Sequence, residues 1–436
     1  MHTVSPGSAR GHAGALAALG DEAIVITGVG VLSAAGRGLG ALSTALRADA
    51  PCWSPITSTL PVPRAAKVQV PLPPWDAPDG PFPDDRKAVL ALVALEDALI
   101  DAGLAEGIPY GPGRRGVFLG TGLSSVTPAE LAEDVYPHLT ADQRFDRPAM
   151  ARDLAPDRAA PRRHLPARVT AAVAARVGAE GPTGTNFSAC AAAAQAIAEG
   201  LWALRRGEVD LAVVGGHDSM IHPLGLLSFV VLGALSPGFC RPFDRGRDGF
   251  MIGEGAATFV LERLGDARAR GARPRAVLLG AGTSADAWNA TAPHPEGAGA
   301  ELSMRRALRD GGLSADDVQY VNCHGTGTPL GDEAETRAVA RVFGDRVPVS
   351  SIKGAIGHTI AAAGALECAA CVAALEGGFL PGTVGLDELD PEIAVPVVQA
   401  ARPAALQVVL SNSFGFGGQN CSLLLGAAPP AGSAAP

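Results

Sequence analysis

The sequence contains few lysines and few tyrosines, and its cysteines do not follow an extracellular pattern. Lys67, Lys87 and Lys353 are the only lysines among 436 residues, and only three residues are tyrosine. The formal net charge of −9 argues against non-specific binding to nucleic acid. The seven cysteines are odd in number and lack the spacing of a secreted disulfide framework, so we expect reduced thiols in a cytoplasm.

Long apolar runs are also absent from the sequence. No stretch of about 18 apolar residues occurs, and the N-terminus lacks the charged start and apolar segment of an export signal. We therefore expect neither a membrane span nor export. Cys368 and Cys371 form a lone Cys-x-x-Cys in an apolar helical run, with no second pair nearby, which favours buried side chains over a metal or redox site.

The remaining composition is that of a globular protein with a large core, since 47% of residues are apolar and 18% are charged. Strand patterns alternate with helical ones, which predicts an α/β fold. Two similar strand–turn–helix patterns suggest an internal duplication with a site between the halves. The predicted segments are a tail at 1–21, halves at 22–265 and 266–427, a tail at 428–436, a proline-rich excursion at 51–85 and a polar insertion at 125–165.

The stretch from Gly181 to Gly207 places Cys190 at the start of a predicted helix, which Gly207 ends before a buried strand. Free backbone N–H groups and the helix dipole favour thiolate over thiol at such a position. The helix end contributes at most about 2 kcal/mol, so we expect an additional partner for Cys190. The alternative is a small buried cysteine in an alanine-rich core.

A glycine-rich turn after the first predicted strand, TGVGVLSAAG, raises the possibility of dinucleotide binding. Gly28 and Gly30 match the pattern, but Ser33 stands where a third glycine is needed. No tyrosine has a lysine four places on, as a short-chain dehydrogenase requires. A dinucleotide oxidoreductase is therefore disfavoured.

The second half contributes polar residues at the ends of predicted strands. His324 begins HGTGTP and His358 ends KGAIGH, and each taken alone fits a structural or a catalytic role equally well. Lys353 could hold charge beside them or lie on the surface. A nucleophilic cysteine needs a base or cationic partner, and backbone N–H groups at Cys190 and in 415–418 could stabilise an oxyanion.

Six motifs together resemble the β-ketoacyl-acyl-carrier-protein synthases, the elongating condensing enzymes. They occur in the family's order from about residue 23 to 427: SAC at 188–190, RPFDRGRDGFMIGEGA at 241–256, TAPHPEGAG at 291–299, HGTGTPLGD at 324–332, KGAIGHTIAAAGALE at 353–367 and SNSFGFGGQN at 411–420. The resemblance implies the thiolase fold, a duplicated five-layered αβαβα sandwich.

The resemblance also implies roles for individual residues. Cys190 would be the acyl-accepting nucleophile, His324 and His358 would assist decarboxylation, and Lys353 would support the site. The other implied roles are a structural or water-ordering acid at Glu335, a gating and oxyanion turn at Gly415, Phe416 and Gly417, and a pantetheine-binding pair at Thr326 and Thr328.

The implied reaction is decarboxylative condensation of a Cys190-bound acyl group with malonyl-acyl-carrier protein, in a bacterial type II polyketide or fatty-acid pathway. It needs no metal and no organic cofactor, because the substrates are carried on phosphopantetheine. The expected partners are acyl-carrier protein and an identical or related chain in a dimer, with no nucleic acid and no membrane. The alternatives are an acyltransferase or chain-starting enzyme that uses the same cysteine, and a non-elongating chain-length partner subunit.

Two features depart from the family pattern. An alanine run, 191–194, follows Cys190 where the family often has threonine or serine, which could alter packing under the acyl chain. Arg86, Lys87 and Arg241 fall at places that match carrier docking, but Asp84 and Asp85 lie beside the first two and would weaken attraction to an acidic carrier.

Overall fold

A computed structural model of the protein describes residues 20–58, 60–76, 82, 85–122, 132–133, 135–153 and 165–429. The predicted tail at 1–21 lies outside these residues up to position 19, and the tail at 428–436 lies outside them from position 430. Parts of the 51–85 excursion, including Asp84, and much of the 125–165 insertion also fall outside. The described part of the insertion contains a helix at Arg147–Asp153.

Most strands belong to one eleven-stranded sheet with the order β11-β10-β14-β15-β9-β1-β8-β7-β5-β6, and β2 pairs with β1. The strands are β1 (Ile24–Ser33), β2 (Gly36–Arg37), β3 (Ser54–Pro55), β4 (Arg64–Ala65), β5 (Arg115–Thr121), β6 (Thr183–Asn186), β7 (Leu211–Ser219), β8 (Glu254–Arg263), β9 (Ala276–Ala285), β10 (Tyr320–Asn322), β11 (Val349–Ser350), β12 (Phe379–Leu380), β13 (Arg402–Pro403), β14 (Val408–Gly415) and β15 (Gln419–Ala427).

The helices cover both faces of this sheet. They are α1 (Leu39–Arg47), α2 (Arg86–Asp101), α3 (Arg147–Asp153), α4 (Ala167–Arg176), α5 (Ala192–Arg205), α6 (Pro223–Val231), α7 (Leu264–Ala269), α8 (Ala298–Asp310), α9 (Pro329–Phe343), α10 (Lys353–Ile356) and α11 (Ala363–Gly377). Short 3₁₀ turns at Ala189–Ala191 and Ile360–Ala362 lead into α5 and α11.

The predicted duplication is visible in the order of the strands. Numbered along the chain within each half, the five main strands lie in the order 3-2-4-5-1 in both halves. The halves join where β1 pairs antiparallel with β9 at Val25–Val277 and Ile26–Ala276. The boundary at residues 265 and 266 remains a prediction.

The layers form the αβαβα sandwich of the thiolase fold. The largest core cluster contains α5 and α11 together with strands of both halves, so these two helices form the middle layer. Helices α2 and α4 pack against the first half on its outer face, and α8 and α9 pack against the second. Within the described residues, one stretch, Ile360–Gly377, is long and apolar enough to cross a membrane, but its 89% burial marks it as a core helix.

The glycines of the TGVGV turn have a packing role. A Cβ on Gly28 would lie 2.2 Å from the carbonyl oxygen of Ala98, and one on Gly30 would lie 1.8 Å from that of Ala94. These glycines therefore let α2 approach β1 closely, which is consistent with rejecting a dinucleotide site.

Candidate active site

Cys190 lies in the 3₁₀ turn before α5, and its side chain is 6% exposed. The preceding residue, Ala189, has φ of 49°, in the left-handed region that a residue with a Cβ rarely adopts. Such strain is retained where the surrounding structure fixes the backbone, often at functional sites. The turn places the sulfur at the inner end of a cavity.

The sulfur of Cys190 has two polar neighbours. His358 Nε2 lies 3.1 Å from Sγ, and the backbone N–H of Phe416 donates a hydrogen bond to the sulfur. Burial nevertheless raises the pKa of the Cys190 thiol to about 12, and the charge of Lys353 opposes this rise only in part. Burial therefore opposes the preference for thiolate that is expected at the helix end.

His358 is held in place by the first half of the chain. Its backbone N–H donates to the carbonyl of Met251 at 2.7 Å, and its carbonyl accepts from the N–H of Gly253 at 2.8 Å. The ring packs edge-on against Phe250, with centroids 5.0 Å apart. Burial lowers the pKa of His358 well below its ordinary value, so the imidazole is neutral and can accept a proton.

One structural correspondence differs from the sequence prediction. His358 does not occupy the position equivalent to Cys190, because the matching 3₁₀ turns begin at Ala189 and Ile360. The second residue of the later turn is Ala361, and Ile360, with φ of 48°, repeats the strain of Ala189. His358 instead precedes its turn, which brings its ring against the sulfur.

His324 is oriented by a buried ion pair. The ammonium of Lys353 donates to Nδ1 of His324 at 3.2 Å, to the His324 carbonyl and to the carboxylate of Glu367. An ammonium has no acceptor, so Nδ1 must accept and the proton of neutral His324 lies on Nε2. Burial also lowers the pKa of His324 well below its ordinary value. His324 therefore has an N–H to donate, and its ring lies 5.3 Å from that of His358.

Glu335 accepts hydrogen bonds from the backbone beside His324. Its carboxylate accepts the backbone N–H groups of His324 and Gly325, each at 2.8 Å, and Nδ2 of Asn412 at 3.2 Å. Burial raises the pKa of Glu335 to about 7. The acid thus fixes the backbone that presents His324.

The turn at Gly415, Phe416 and Gly417 lies directly beside the nucleophile. A Cβ on Gly415 would lie 3.0 Å from the carbonyl oxygen of Ser188 and 3.1 Å from the nitrogen of Cys190. Gly417 has φ of 80° and donates its N–H to the carbonyl of Ala290 at 2.8 Å. Geometry therefore favours glycine at both positions, at Gly415 because a Cβ would make tight contacts and at Gly417 because the backbone is left-handed.

A cavity of about 440 Å³ leads from the surface to this group. Thr326 and Thr328 line it, and their hydroxyl oxygens lie 2.9 Å apart. Cys190, His324, His358 and Phe416 line the same cavity. The predicted site residues of both halves therefore meet in one place.

The alanine run after Cys190 packs away from the cavity. Ala191, Ala192, Ala193 and Ala194 are at most 1% exposed, and none of them lines the cavity. A Cβ on Gly216 would lie 2.4 Å from the Cβ of Ala193. The run therefore allows α5 to lie close to the sheet, and it does not shape the described cavity wall.

Two predicted carrier-docking residues point inward. Lys87 is 4% exposed and donates to the carbonyl of Gly122 at 3.3 Å, which contradicts a docking role. Arg86 pairs with buried Glu254 and donates to the carbonyl of Val68, so its guanidinium is also committed. Arg241 is half-buried and lies over the ring of Phe239. Burial does not favour a docking role for Lys87, and docking at the partly exposed Arg86 and Arg241 stays a prediction.

Sequence reasoning gave no role to two acids at the site. Glu367 pairs with Lys353 and accepts a hydrogen bond from the hydroxyl of Ser413 at 3.1 Å. The sequence feature that could have indicated this role is a lone acidic residue in an apolar helix. Asp286 accepts from Asn420 Nδ2 at 2.7 Å, and its own N–H donates to the carbonyl of Gly418 at 2.9 Å. Nothing near Asp286 in the sequence indicates that contact, because it crosses more than 100 residues.

The ligand atoms of Cys190, His324 and His358 lie within 4.8 Å of one another, a donor set that zinc also accepts. The same three groups also fit a nucleophile, a base and a hydrogen-bond donor. The expectation of no metal remains a prediction.

Comparison with known proteins identifies the family of the chain. The family model described as β-ketoacyl synthase, N-terminal domain, matches residues 21–267, and the C-terminal domain model matches residues 275–387. The chain belongs to the β-ketoacyl synthase family. This confirms the family that the six motifs predicted and the assignment as an acyltransferase-type ketosynthase.

Individual relatives cover most of this synthase. The 3-oxoacyl-[acyl-carrier-protein] synthase 2 of Staphylococcus aureus is 35% identical over 349 residues, which are 78% of this chain and 83% of that protein. Nodulation protein E of Rhizobium meliloti is 37% identical over 345 residues, 78% of this chain and 82% of that protein. The structure of the ishigamide ketosynthase/chain length factor superposes with a TM-score of 0.80 at 33% identity, covering 93% of this chain and 99% of that chain.

Proposed function

We propose that this synthase catalyses decarboxylative Claisen condensation of an acyl group on Cys190 with malonyl-acyl-carrier protein, giving a 3-oxoacyl-carrier. The observation that carries this proposal is the 3.1 Å contact between Cys190 Sγ and His358 Nε2, with His324 and Lys353 beside it at the end of the cavity. A bacterial type II fatty-acid or polyketide pathway in the cytoplasm fits this reaction.

Acylation begins from a neutral pair. Burial keeps Cys190 protonated and His358 unprotonated, so the thiol proton passes to Nε2 of His358 as sulfur attacks the acyl thioester. The backbone N–H groups of Cys190 and Phe416 are the donors for the oxyanion. Collapse expels the carrier thiolate, which takes the proton back from His358, and a thioester to Cys190 remains.

Decarboxylation uses His324 as the donor. Nε2–H of His324 donates to the thioester carbonyl of the malonyl group beside neutral His358, and the enolate forms as CO₂ leaves. The carbanion attacks the carbonyl carbon of the Cys190 thioester, and the sulfur leaves as thiolate. The 3-oxoacyl product stays on the carrier. Thr326 and Thr328 are placed to bind the pantetheine arm.

The partners follow from the reaction and from relatives. Acyl-carrier protein delivers both substrates on phosphopantetheine, and no other cofactor is needed because decarboxylation supplies the carbanion. The ishigamide ketosynthase is paired with a chain length factor. We propose that this synthase forms a dimer with an identical or related chain.

The test is intact-mass analysis after incubation with acyl-carrier protein loaded with an acyl chain, followed by malonyl-carrier. We expect acyl mass on Cys190, then a carrier product two carbons longer, both unchanged by a metal chelator. Acylation without extension would support the chain-starting or acyltransferase alternative. Absence of any acylation would indicate a non-elongating partner subunit, and loss of acylation with chelator would indicate a metal at the three ligand atoms.

A further inference from the structure

The turn after His358 repeats the turn that carries the nucleophile. Ile360–Ala362 and Ala189–Ala191 are both 3₁₀ turns that lead into a helix of the middle layer, and their first residues have φ of 48° and 49°. The second residues of the two turns are Ala361 and Cys190. Their backbone N–H groups therefore hold equivalent places in the two halves.

These two equivalent N–H groups have different partners. The N–H of Cys190 is a proposed donor to the oxyanion of the reacting acyl group. The N–H of Ala361 donates instead to Oδ2 of Asp218 at 3.1 Å. In the second half, a permanent carboxylate thus accepts from the position whose counterpart in the first half serves a transient oxyanion.

Asp218 is held in place by its surroundings. It lies near the end of β7, is 0% exposed, and accepts the N–H of Ser219 on Oδ1 at 2.9 Å. A Cβ on Gly122 would lie 2.2 Å from Oδ2 of Asp218, so the glycine leaves space for the carboxylate. Burial raises the pKa of Asp218 to about 6, and the charge of Lys87 opposes this rise, so the carboxylate is mostly ionised at pH 7.

Ile360 connects this hydrogen bond to the acyl site. Its side chain lines the cavity together with Cys190, and both residues belong to one apolar cluster. The backbone of Ile360 is left-handed, which a β-branched residue rarely adopts, and such strain persists only where surrounding contacts hold it. The hydrogen bond from the next residue, Ala361, to Asp218 is a contact of this kind.

We propose that Asp218 is a positioning residue for acylation, whose carboxylate holds the strained turn so that Ile360 restricts the space beside Cys190 and excludes acyl groups branched next to the thioester carbonyl. This inference rests on the proposed function for the acyl group on Cys190, but not on condensation. Asp218 acts through the turn, since it does not line the cavity itself. One extra carbon in a tight apolar pocket changes a rate by about 10- to 200-fold, so a fixed Ile360 is sufficient for such selection.

The test compares butanoyl-carrier and 2-methylpropanoyl-carrier as acyl donors to the full-length synthase, with the rate of Cys190 acylation read from intact mass. We expect the wild type to prefer the straight chain. Asp218→Ala should raise the branched-to-straight ratio of rates about tenfold or more, because the freed turn lets Ile360 yield. Asp218→Asn keeps one acceptor and should shift the ratio less, and it replaces the alanine variant if that variant fails to fold.

Two further variants separate positioning from a general loss of stability. Glu262→Gln is the matched control, because Glu262 is equally buried, lies on β8 of the same half and does not line the cavity. Ile360→Ala should raise the ratio by itself, and adding Asp218→Ala to it should change the ratio less than about twofold, since both changes act on one contact. An equal shift in Glu262→Gln, or additive shifts in the double variant, would contradict the role of Asp218.

A carrier-free reaction gives the same information without the proposed function. Methyl and isopropyl methanethiosulfonate convert the Cys190 thiol to a mixed disulfide with release of methanesulfinate, and the product is located by peptide mass. Asp218→Ala should favour the isopropyl reagent, and an unchanged ratio with both carriers and both reagents would overturn the inference. Absence of acylation of the wild type by either carrier would contradict the proposed function, whereas a shifted reagent ratio would still support the role of Asp218.

Discussion

Burial has opposite effects on the two partners at the centre of the site. It raises the pKa of the Cys190 thiol to about 12 and lowers that of His358, so both groups are neutral at rest. A permanent thiolate in this pocket would be an incompletely compensated buried charge. Transferring the proton only when sulfur attacks avoids that cost, and the 3.1 Å separation makes the transfer direct.

Replacing each of the two histidines should therefore slow a different step of the reaction. His358→Ala removes the proton acceptor for Cys190, and we expect acylation to slow about 100-fold or more. His324→Ala leaves that contact intact, so acylation should persist while CO₂ release from malonyl-carrier falls. Acylation is measured by intact mass and decarboxylation by labelled CO₂. Cys190→Ala should show no acylation, and equal loss of both steps in the two histidine variants would assign them a structural role.

Glu335 should make the free energy of unfolding depend on pH. Its pKa rises from an ordinary 4.5 to about 7 in the folded protein, so the folded state binds this proton more tightly than the unfolded state. Its contribution to stability is then present below pH 4.5 and lost as pH rises towards 7, by up to about 3 kcal/mol.

Glu335→Gln tests this directly. We expect the free energy of unfolding of the variant to fall less between pH 4.5 and 7 than that of the wild type, measured by urea denaturation. Asp218, whose pKa burial raises to about 6, contributes equally to both proteins. Parallel curves would show that Glu335 keeps an ordinary pKa.

The roles of individual residues could be predicted from the sequence where the residues belong to a motif. Cys190, His324 and His358 were found because their motifs occur in the order of a known family. Glu367 and Asp286 were missed because their partners are distant in sequence, and only folding brings them together. The sequence reveals that Cys190 begins a helix but not how deeply it is buried, and this burial raises the pKa of the thiol.

At the scale of elements, α5 shows how a helix position is set by small residues. Ala193 faces Gly216 across a gap that leaves no room for a further methyl group. Ala193→Val should overpack this contact and lower the free energy of unfolding by about 1–3 kcal/mol, measured by denaturation. Ala171→Val on the exposed face of α4 is the control for helix propensity, and an equal effect in both would exclude a packing origin.

The turn beside Cys190 should tolerate no side chain at Gly415. A Cβ there would press on the backbone of Ser188 and Cys190 and move the Phe416 N–H away from the sulfur. We expect Gly415→Ala to slow acylation at least tenfold, since one donor to a developing oxyanion contributes about that much or more. Gly40→Ala in α1, where a Cβ meets nothing within 4 Å, is the matched control. Normal acylation in Gly415→Ala would show that the turn moves without loss.

Most main strands and the central helices were predictable, whereas α6, α8 and α9 were not assigned. Helix α6 is apolar throughout and has no clear period, so its sequence cannot be told from a buried strand. Helix α8 does carry a helical pattern, with Ala300, Met304 and Ala307 buried. The helical pattern of α8 is therefore visible in the sequence, but the helix begins inside the TAPHPEGAG motif at 291–299, which was not interpreted as helical.

At the scale of the whole molecule, the site exists only because the two halves meet. The first half supplies Cys190, and its residues Met251 and Gly253 hold His358 through backbone hydrogen bonds. Buried Asp218 also accepts the N–H of Ala361 at 3.1 Å, which ties the first half to the turn after His358. Duplication thus gave two equivalent turns, one keeping the nucleophile and the other placing its base.

The sheet has two end strands, and only one is covered by the described chain. Beside β11, Val349 donates its N–H to the carbonyl of Pro396 and accepts from the N–H of Val398. Strand β6 pairs with β5 on one side only, and Phe187, which follows it, is 52% exposed. An open edge with an exposed aromatic side chain is a ready surface for pairing with another chain.

We therefore expect the synthase to dimerise along β6, measured as molecular mass by light scattering. Phe187→Glu introduces a charge at this edge, and it should shift the protein to monomers because an unpaired carboxylate would be buried in the contact. Leu302→Glu on α8 is the control, since Leu302 is 41% exposed and lies outside this edge. A dimer that survives Phe187→Glu would place the contact on another surface, while monomeric wild type that dimerises only with a related chain would identify a heterodimer.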